Sequence, residues 1–233
     1  IRGNGNATIL KRMYNSTDTN SGPTAKGLIT LNGKSGCKIQ GLQIDGNNYT
    51  SDDDCDTSDD NCGIYLYSSS NNTITGNICN NNSDGIFLYT SSNNTITGNT
   101  CNNNSDYGIC LYSSSDNTIT SNTCNNNYNN GISLSSSSGN KVTDNTCNNN
   151  YCGIYLYSSS NNTVTGNTCN NNYCGICLYS SSNNNTTTGN TCIRGTGQAS
   201  DYDSNQYTIR LQGTANKYNL ISLNNCMGKA VVV

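Results

Sequence analysis

From Gly63 onward the chain copies itself. The segment GIYLYSSSNNTITGNICNNNSD returns as GIFLYTSSNNTITGNTCNNNSDY from Gly85 and as GICLYSSSDNTITSNTCNNNYNN from Gly108. It continues as GISLSSSSGNKVTDNTCNNNYC from Gly131, GIYLYSSSNNTVTGNTCNNNYC from Gly153 and GICLYSSSNNNTTTGNTC from Gly175. The glycines that open these copies are 22, 23, 23, 22 and 22 residues apart. Such a period restricts the fold to a stack of small units, each burying its face against the next. It is too short for a pair of helices, and Ile-x-Leu followed by Thr-Ile-Thr alternates with the period of a strand. Ser and Asn runs separate the strands as turns. Three short strands and three turns per copy make one coil of a parallel β-helix.

Only 32% of the 233 residues are hydrophobic and 11% charged, while 47 are Asn. For an ordinary globular core that balance borders on disorder. A stack removes the difficulty. Ile64 and Leu66 point inward from the first strand, Ile74 from the second and Cys79 from the third. Each recurs one coil on, at about the 4.8 Å spacing of neighbouring strands. Weaker coils flank the array: Ile29, Leu31, Ile39 and Ile44 keep the inward spacing before it, and Ile209, Leu211, Ile221 and Cys226 after it. Ile1, Ile9 and Leu10 are assigned to an earlier, incomplete coil. The expectation is one all-β domain over 1–233 with about eight coils of 22–23 residues. It divides into opening coils (1–46), an acidic lateral loop (47–61), a regular array (62–192), and an irregular insertion with the final coil (193–233).

Composition removes several functions. There is no His, which excludes a Ser-His-Asp triad, a Cys-His dyad and any His-bearing zinc site. Every acid is Asp. A net charge of −3 and a pI near 4.6 argue against nucleic acid, whose phosphates need clustered Lys and Arg. No run of 18 apolar residues offers a membrane span. The chain opens at Ile1 inside an apparent strand, so it is read as a processed or trimmed fragment in which a missing leader means nothing.

The motif GIxLxSSSNNTITGNTxxNN resembles the parallel β-helix repeats of the NosD-like family over about two-thirds of the chain. GLITLNGKSGCKIQGLQIDG looks like an opening coil of the same superfamily. The resemblance implies a single-stranded right-handed parallel β-helix. That superfamily includes polysaccharide lyases, epimerases, phage tailspikes and surface proteins of methanogenic archaea, so the likeness is specific for fold and unspecific for function. It also implies an inward asparagine ladder at Asn77, Asn99, Asn122, Asn145, Asn167 and Asn190. Asn suits that place because its amide both donates and accepts along a stack. NosD itself is associated with copper-site maturation. Thiols suit Cu(I), yet this chain lacks His and places its regular Cys column inside.

That column is Cys79, Cys101, Cys124, Cys147, Cys169, Cys192 and Cys226. Free Cys packs as a small hydrophobe, so a buried thiol ladder is one reading and disulfides between adjacent coils the rival. Stacked Cα atoms fall within disulfide range, but parallel Cβ vectors do not converge. Better disulfide candidates are Cys152 and Cys174, at equivalent turns, together with Cys37, Cys55 and Cys62. Cys110 and Cys177 replace an outward Tyr. Fourteen Cys in a polar chain favour an oxidising exterior.

Outward columns carry the remaining candidates. Thr-x-Thr pairs at 73/75, 95/97, 118/120, 163/165 and 186/188, interrupted at Lys141, are similar to the ice-binding face of some β-helical antifreeze proteins, though Thr is also ordinary for an exposed strand. Tyr65, Tyr155, Tyr67, Tyr89, Tyr112, Tyr157 and Tyr179 form a ring array suited to sugars, to a second subunit, or simply to covering the sheet. Glycosylation sequons fall at Asn6, Asn15, Asn48, Asn71, Asn81, Asn93, Asn103, Asn161, Asn184 and Asn185. The only concentrated charge is Asp52, Asp53, Asp54, Asp56, Asp59 and Asp60, a candidate Ca²⁺ site or a solvated loop.

A lyase needs a base beside carboxylates, and between Lys38 and Arg194 the only basic residue is Lys141, beside Asp144. Arg194, Asp201, Asp203 and Arg210 are the remaining cluster. The expectation is therefore an extracellular or cell-surface structural protein and not an enzyme. Its partner is a copy of itself, Ile1, Arg2 and Gly3 meeting Ala230, Val231, Val232 and Val233 of the next subunit head to tail in a filament, sheath or surface layer. The alternatives are a β-helix that binds or cleaves carbohydrate, with cell-surface glycans as partners, and an ice-binding protein.

Overall fold

The inward columns of the repeat stack as three walls of parallel strands. The computed structural model describes residues 1–4, 8–13, 26–47, 61–194, 207–213 and 216–227. The first wall has eight strands in register: Gly27–Asn32, Cys62–Tyr67, Ile86–Tyr89, Ile109–Tyr112, Asn130–Ser135, Cys152–Tyr157, Cys174–Tyr179 and Tyr207–Gln212. The second also has eight: Lys38–Gln40, Thr73–Thr75, Thr95–Thr97, Thr118–Thr120, Lys141–Thr143, Thr163–Thr165, Thr186–Thr188 and Leu220–Ser222. The third begins with Ile9–Lys11, Gln43–Asp45 and Ile78–Asn80 and ends with Thr191–Ile193 beside Asn225–Met227. Single parallel bridges through Thr100, Thr123, Thr146 and Thr168 join its two ends. Eight coils result.

The core is a set of columns one side chain wide. Ile and Leu alternate inward from the first wall, and Ile39, Ile74, Ile96, Ile119, Val142 and Val164 stack from the second. In the third wall Cys79 pairs with Ile44 below it, and Cys101, Cys124, Cys147, Cys169 and Cys192 continue the column fully buried. All seven cysteines of this column, Cys226 included, are free thiols. Burial pushes the Cys79 and Cys101 thiols well above the ordinary thiol range, so they pack as neutral groups. Thr187 takes the Val place in the second wall; it is an inward residue rather than part of an outward threonine row, and its buried hydroxyl has no partner.

The corners explain the abundance of Asn. At each corner one residue adopts a left-handed backbone and the next turns inward. Asn71, Asn93, Asn161 and Asn184 have φ between 54° and 59°, a region Asn tolerates. Their successors Asn72, Asn94, Asn162 and Asn185 are buried and bonded coil to coil. Gly76, Gly98, Gly166 and Gly189 turn ahead of Asn77, Asn99, Asn167 and Asn190 in the same way.

The Asn77 column is a continuous ladder. Asn77 Nδ2 donates to Asn99 Oδ1 at 3.0 Å and to the Ile39 carbonyl at 3.1 Å, and the Asn77 backbone N–H also reaches Asn99 Oδ1. Asn99, Asn122, Asn145, Asn167 and Asn190 repeat the pattern, ending on Asn224. Two further ladders, from Asn72 to Asn219 and from Asn82 to Asn172, run parallel to it. A serine ladder from Ser69 to Ser182 occupies the fourth corner.

The incomplete first coil is present. Ile9–Lys11 pairs with Gln43–Asp45, Arg2 bridges Gln40, and the Ile1 amino group donates to the Lys38 carbonyl.

Candidate functional site: a tyrosine cleft floored by thiols

The outer side of the first wall carries the largest run of irregular side chains. There the chain varies three columns. One runs Cys62, Asn130, Cys152, Cys174 and Tyr207; the next Tyr65, Phe87, Cys110, Ser133, Tyr155, Cys177 and Arg210; the third Tyr67, Tyr89, Tyr112, Ser135, Tyr157, Tyr179 and Gln212. The strand Asn130–Ser135 carries no ring and divides the face in two.

On one side Cys62, Tyr65, Phe87, Tyr107 and Cys110 form a sealed cluster. Phe87 and Cys110 are fully buried although they point away from the helix axis, so this part of the ring array is no open platform. Tyr67, Tyr89 and Tyr112 stack along its edge at 5.6 and 5.4 Å. Arg12 is buried over it and donates to the Cys62 carbonyl at 3.0 Å.

On the other side Cys152, Cys174 and Cys177 pack together beneath Tyr155, Tyr173, Tyr179 and Tyr207. They floor a cleft of about 280 Å³ whose walls include Tyr151, Tyr155, Tyr173, Tyr179 and Arg210. Tyr151 and Tyr173 stack at 4.8 Å with planes 8° apart, and Tyr157 stacks on Tyr179 at 5.7 Å. Arg210 lies with its guanidinium carbon 4.4 Å from the centre of the Tyr207 ring, a cation–π arrangement that holds it at the cleft. No carboxylate lines the cleft among the described residues.

The three thiols are not equivalent. The neighbouring Cys152 and Cys174 thiols, with Arg210 nearby, outweigh the burial of Cys177 and hold its thiol down to about 4. Cys174, whose Sγ donates to the Ile176 carbonyl at 3.4 Å, is pushed up by the neighbouring Cys152 and Cys177 thiols and by burial. Cys152 also rises: the lowering influence of Cys174 is outweighed by Cys177 and by burial. Tyr155 is raised by burial and then by the neighbouring cysteines. The arrangement is a thiol of lowered pKa with two thiol neighbours and a guanidinium beside it.

The sequence-derived sites fall as follows. Cys37, Cys62, Cys152 and Cys174 are free thiols, whereas Cys110 is disulfide-bonded to a partner outside the described residues. Cys152 and Cys174 stack on adjacent strands and are engaged with Cys177. Cys37 packs against the end of the core instead, its N–H donating to Asn72. Among the sequons, Asn71, Asn93, Asn103, Asn161 and Asn184 are exposed and Asn81 is half-buried. Asn185 is corrected: it is buried, donates to the Ser159 carbonyl, and is closed to glycosylation in the folded chain. The paired threonines at 73/75 through 186/188 stand in register on the second wall, broken by exposed Lys141. Cys55, Asp52, Asp53, Asp54, Asp56, Asp59, Asp60, Asn6, Asn15, Asn48, Asp201, Asp203 and Ala230 to Val233 lie outside the described residues. Sequence reasoning singled out Cys152 and Cys174 and noted that Cys177 replaces an outward Tyr, but it did not bring the three together or place Arg210 beside them.

Stacked parallel coils with a continuous one-residue-wide core define a parallel β-helix. Residues 12–228 match the family described as periplasmic copper-binding protein (NosD), and the chain belongs to that family. No curated protein matches the chain. Among solved structures it is similar to the Dettilon tailspike protein, at 19% identity and a TM-score of 0.67 over 82% of this chain and 41% of that one. Bacteriophage CBA120 tailspike protein 2 matches at 15% identity and a TM-score of 0.63, over 88% of this chain and 33% of that one. The A-module of Azotobacter vinelandii mannuronan C-5 epimerase AlgE4 matches at 14% identity and a TM-score of 0.54, over 100% of this chain and 80% of that one. The chain thus spans less than half of either tailspike. These likenesses establish the fold.

The family's copper finds no fitting site among the described residues. Among the described residues no group of three or more His, Cys, Asp or Glu side chains is placed to hold a metal ion. The core thiols are sealed, and Arg210 sets a positive charge beside Cys177 where a cation would sit. No helix among the described residues is long and apolar enough to cross a membrane.

Proposed function

We propose that the chain is an envelope or extracellular β-helix that binds saccharide, with an acidic sugar as its ligand class. The cleft of Tyr151, Tyr155, Tyr173 and Tyr179 with Arg210 carries this reading. Aromatic faces suit the C–H faces of sugar rings, and their phenolic groups suit hydroxyls. A guanidinium pairs with a carboxylate in bidentate fashion. A lining without carboxylates supports binding rather than hydrolysis, which uses a pair of carboxylates at the bond. Calorimetric titration with uronate oligosaccharides tests it. Binding that Tyr173→Ala and Arg210→Met each weaken about tenfold or more supports the reading; equal affinity of both variants, or no heat with any acidic oligosaccharide, removes it.

Head-to-tail association into a filament, sheath or surface layer is the second reading. The last described coil leaves Tyr218 84% exposed and Leu223 91% exposed, with Leu220 and Met227 also open. Apolar side chains on an outermost coil invite another strand. Sedimentation with and without reductant tests it: concentration-dependent polymers support stacking, and a monomer at every concentration removes it.

A further inference from the structure

The cleft's sulfur chemistry has no role in sugar binding. Three thiols line one tyrosine-walled cleft, Cys152 and Cys177 at 3% and Cys174 at 1% exposure, whereas the core thiols from Cys79 to Cys192 are sealed between coils with none. Neighbouring thiols of the core ladder also lie close to one another, but only Cys152, Cys174 and Cys177 among the described residues pack together beneath a cleft. Arg210 stands opposite Cys177 in register on the next strand.

We infer that Cys152, Cys174 and Cys177 form a thiol-oxidation site, in which Cys177 is the attacking thiolate and either neighbour closes a disulfide with it. The co-reactant is a peroxide, ROOH. The Cys177 sulfur attacks the distal oxygen, the O–O bond breaks, and the departing alkoxide takes up a proton from solvent as ROH. Cys177 is then a sulfenic acid. A neighbouring thiol attacks that sulfur, an S–S bond forms, and the hydroxyl leaves with the thiol's proton as water. Two thiols lose two electrons in all, and the peroxide gains them. Two features favour the sequence: the resolving partners pack against the attacking sulfur, and they and Arg210 depress its pKa. Burial of the core ladder keeps Cys101 and Cys124 out of the reaction.

Hydrogen peroxide on the intact chain at pH 6, followed by alkylation and chymotryptic mapping, reads the outcome. Cleavage at Tyr151, Tyr155, Tyr173 and Tyr179 releases Cys152 in one fragment and Cys174 with Cys177 in another. The expected product is either a covalent link between these fragments or a second fragment two hydrogens lighter, while Cys101 and Cys124 remain alkylatable after denaturation. Cys177→Ser is expected to slow disulfide formation by about tenfold or more. Arg210→Met, which keeps all three thiols, is expected to slow it less, and circular dichroism shows that both variants retain the coil. Unchanged oxidation in Cys177→Ser, or conversion of Cys177 to sulfinic acid without any S–S bond, overturns the inference. Neither readout depends on a saccharide, so the two proposals stand or fall separately.

Discussion

Asn71 and Asn72 are adjacent in sequence and opposite in role. Asn71 is exposed with φ 59°, turning the corner; Asn72 is buried, donating to the Lys34 carbonyl while its N–H reaches Asn94 Oδ1 at 2.8 Å. The same division holds at Asn93–Asn94, Asn161–Asn162 and Asn184–Asn185. A single residue type thus supplies both the left-handed corner and the internal ladder, which is how a chain poor in apolar residues encloses a continuous core.

That division predicts opposite responses at two asparagines of one coil. Asn122 accepts from the Asn99 N–H and Nδ2 and donates to Asn145 Oδ1 and the Ile96 carbonyl. Asn122→Ala strands several buried groups and is expected to cost about 3 kcal/mol. Asn126 is exposed at φ 57°; Asn126→Gly is expected to change stability by less than about 0.5 kcal/mol. Denaturant titration of both variants checks the contrast.

The inward columns are legible in the sequence because the two-residue period of Ile64, Leu66 and Ile74 repeats without interruption. The resemblance indicates the ladder through Asn77 but not those through Asn72 and Asn82. In an Asn-Asn pair, residue type does not say which amide turns inward; the left-handed backbone of the first member decides. The cleft is less legible still. Cys177 and Arg210 come together only because 177 and 210 share a register across the 195–206 insertion, and sequence spacing does not fix that register.

Thr187 gives a stabilising substitution. It occupies the column of Val142 and Val164, is fully buried, and leaves its hydroxyl without a partner. Thr187→Val keeps the shape and removes the orphaned group, with an expected gain of about 1 kcal/mol. Val164→Thr places the same defect one coil away and is expected to lose a similar amount. Paired melting curves decide whether the hydroxyl is the cause.

The thiol ladder predicts a tolerance for apolar replacement. Cys124 is fully buried between Cys101 and Cys147, and all three are free. Cys124→Ala removes one sulfur's volume and is expected to cost about 1 kcal/mol. Cys124→Ser puts a more polar group in the column and is expected to cost about 2 kcal/mol. Equal costs would mean that packing volume alone governs the column.

The last prediction concerns pH. Cys177 faces Cys174 and Tyr179 on its own strand, Cys152 and Tyr155 on the adjoining strand, and Arg210 on the next. With its thiol held down to about 4, its alkylation by iodoacetamide is expected to rise through about pH 4 and stay flat to pH 8, where an ordinary thiol is still climbing. The stability linkage has a definite sign. Cys177's folded value is depressed, so its contribution is complete above the ordinary thiol value and is lost as pH falls through about 4. Cys174 is raised, so its contribution is complete below the ordinary thiol value and is lost as pH climbs beyond it. Arg210→Met removes the favourable charge and is expected to move the alkylation midpoint upward. A midpoint that stays in place would assign the thiolate wholly to the neighbouring Cys152 and Cys174 thiols, and Cys152→Ala should then shift it instead.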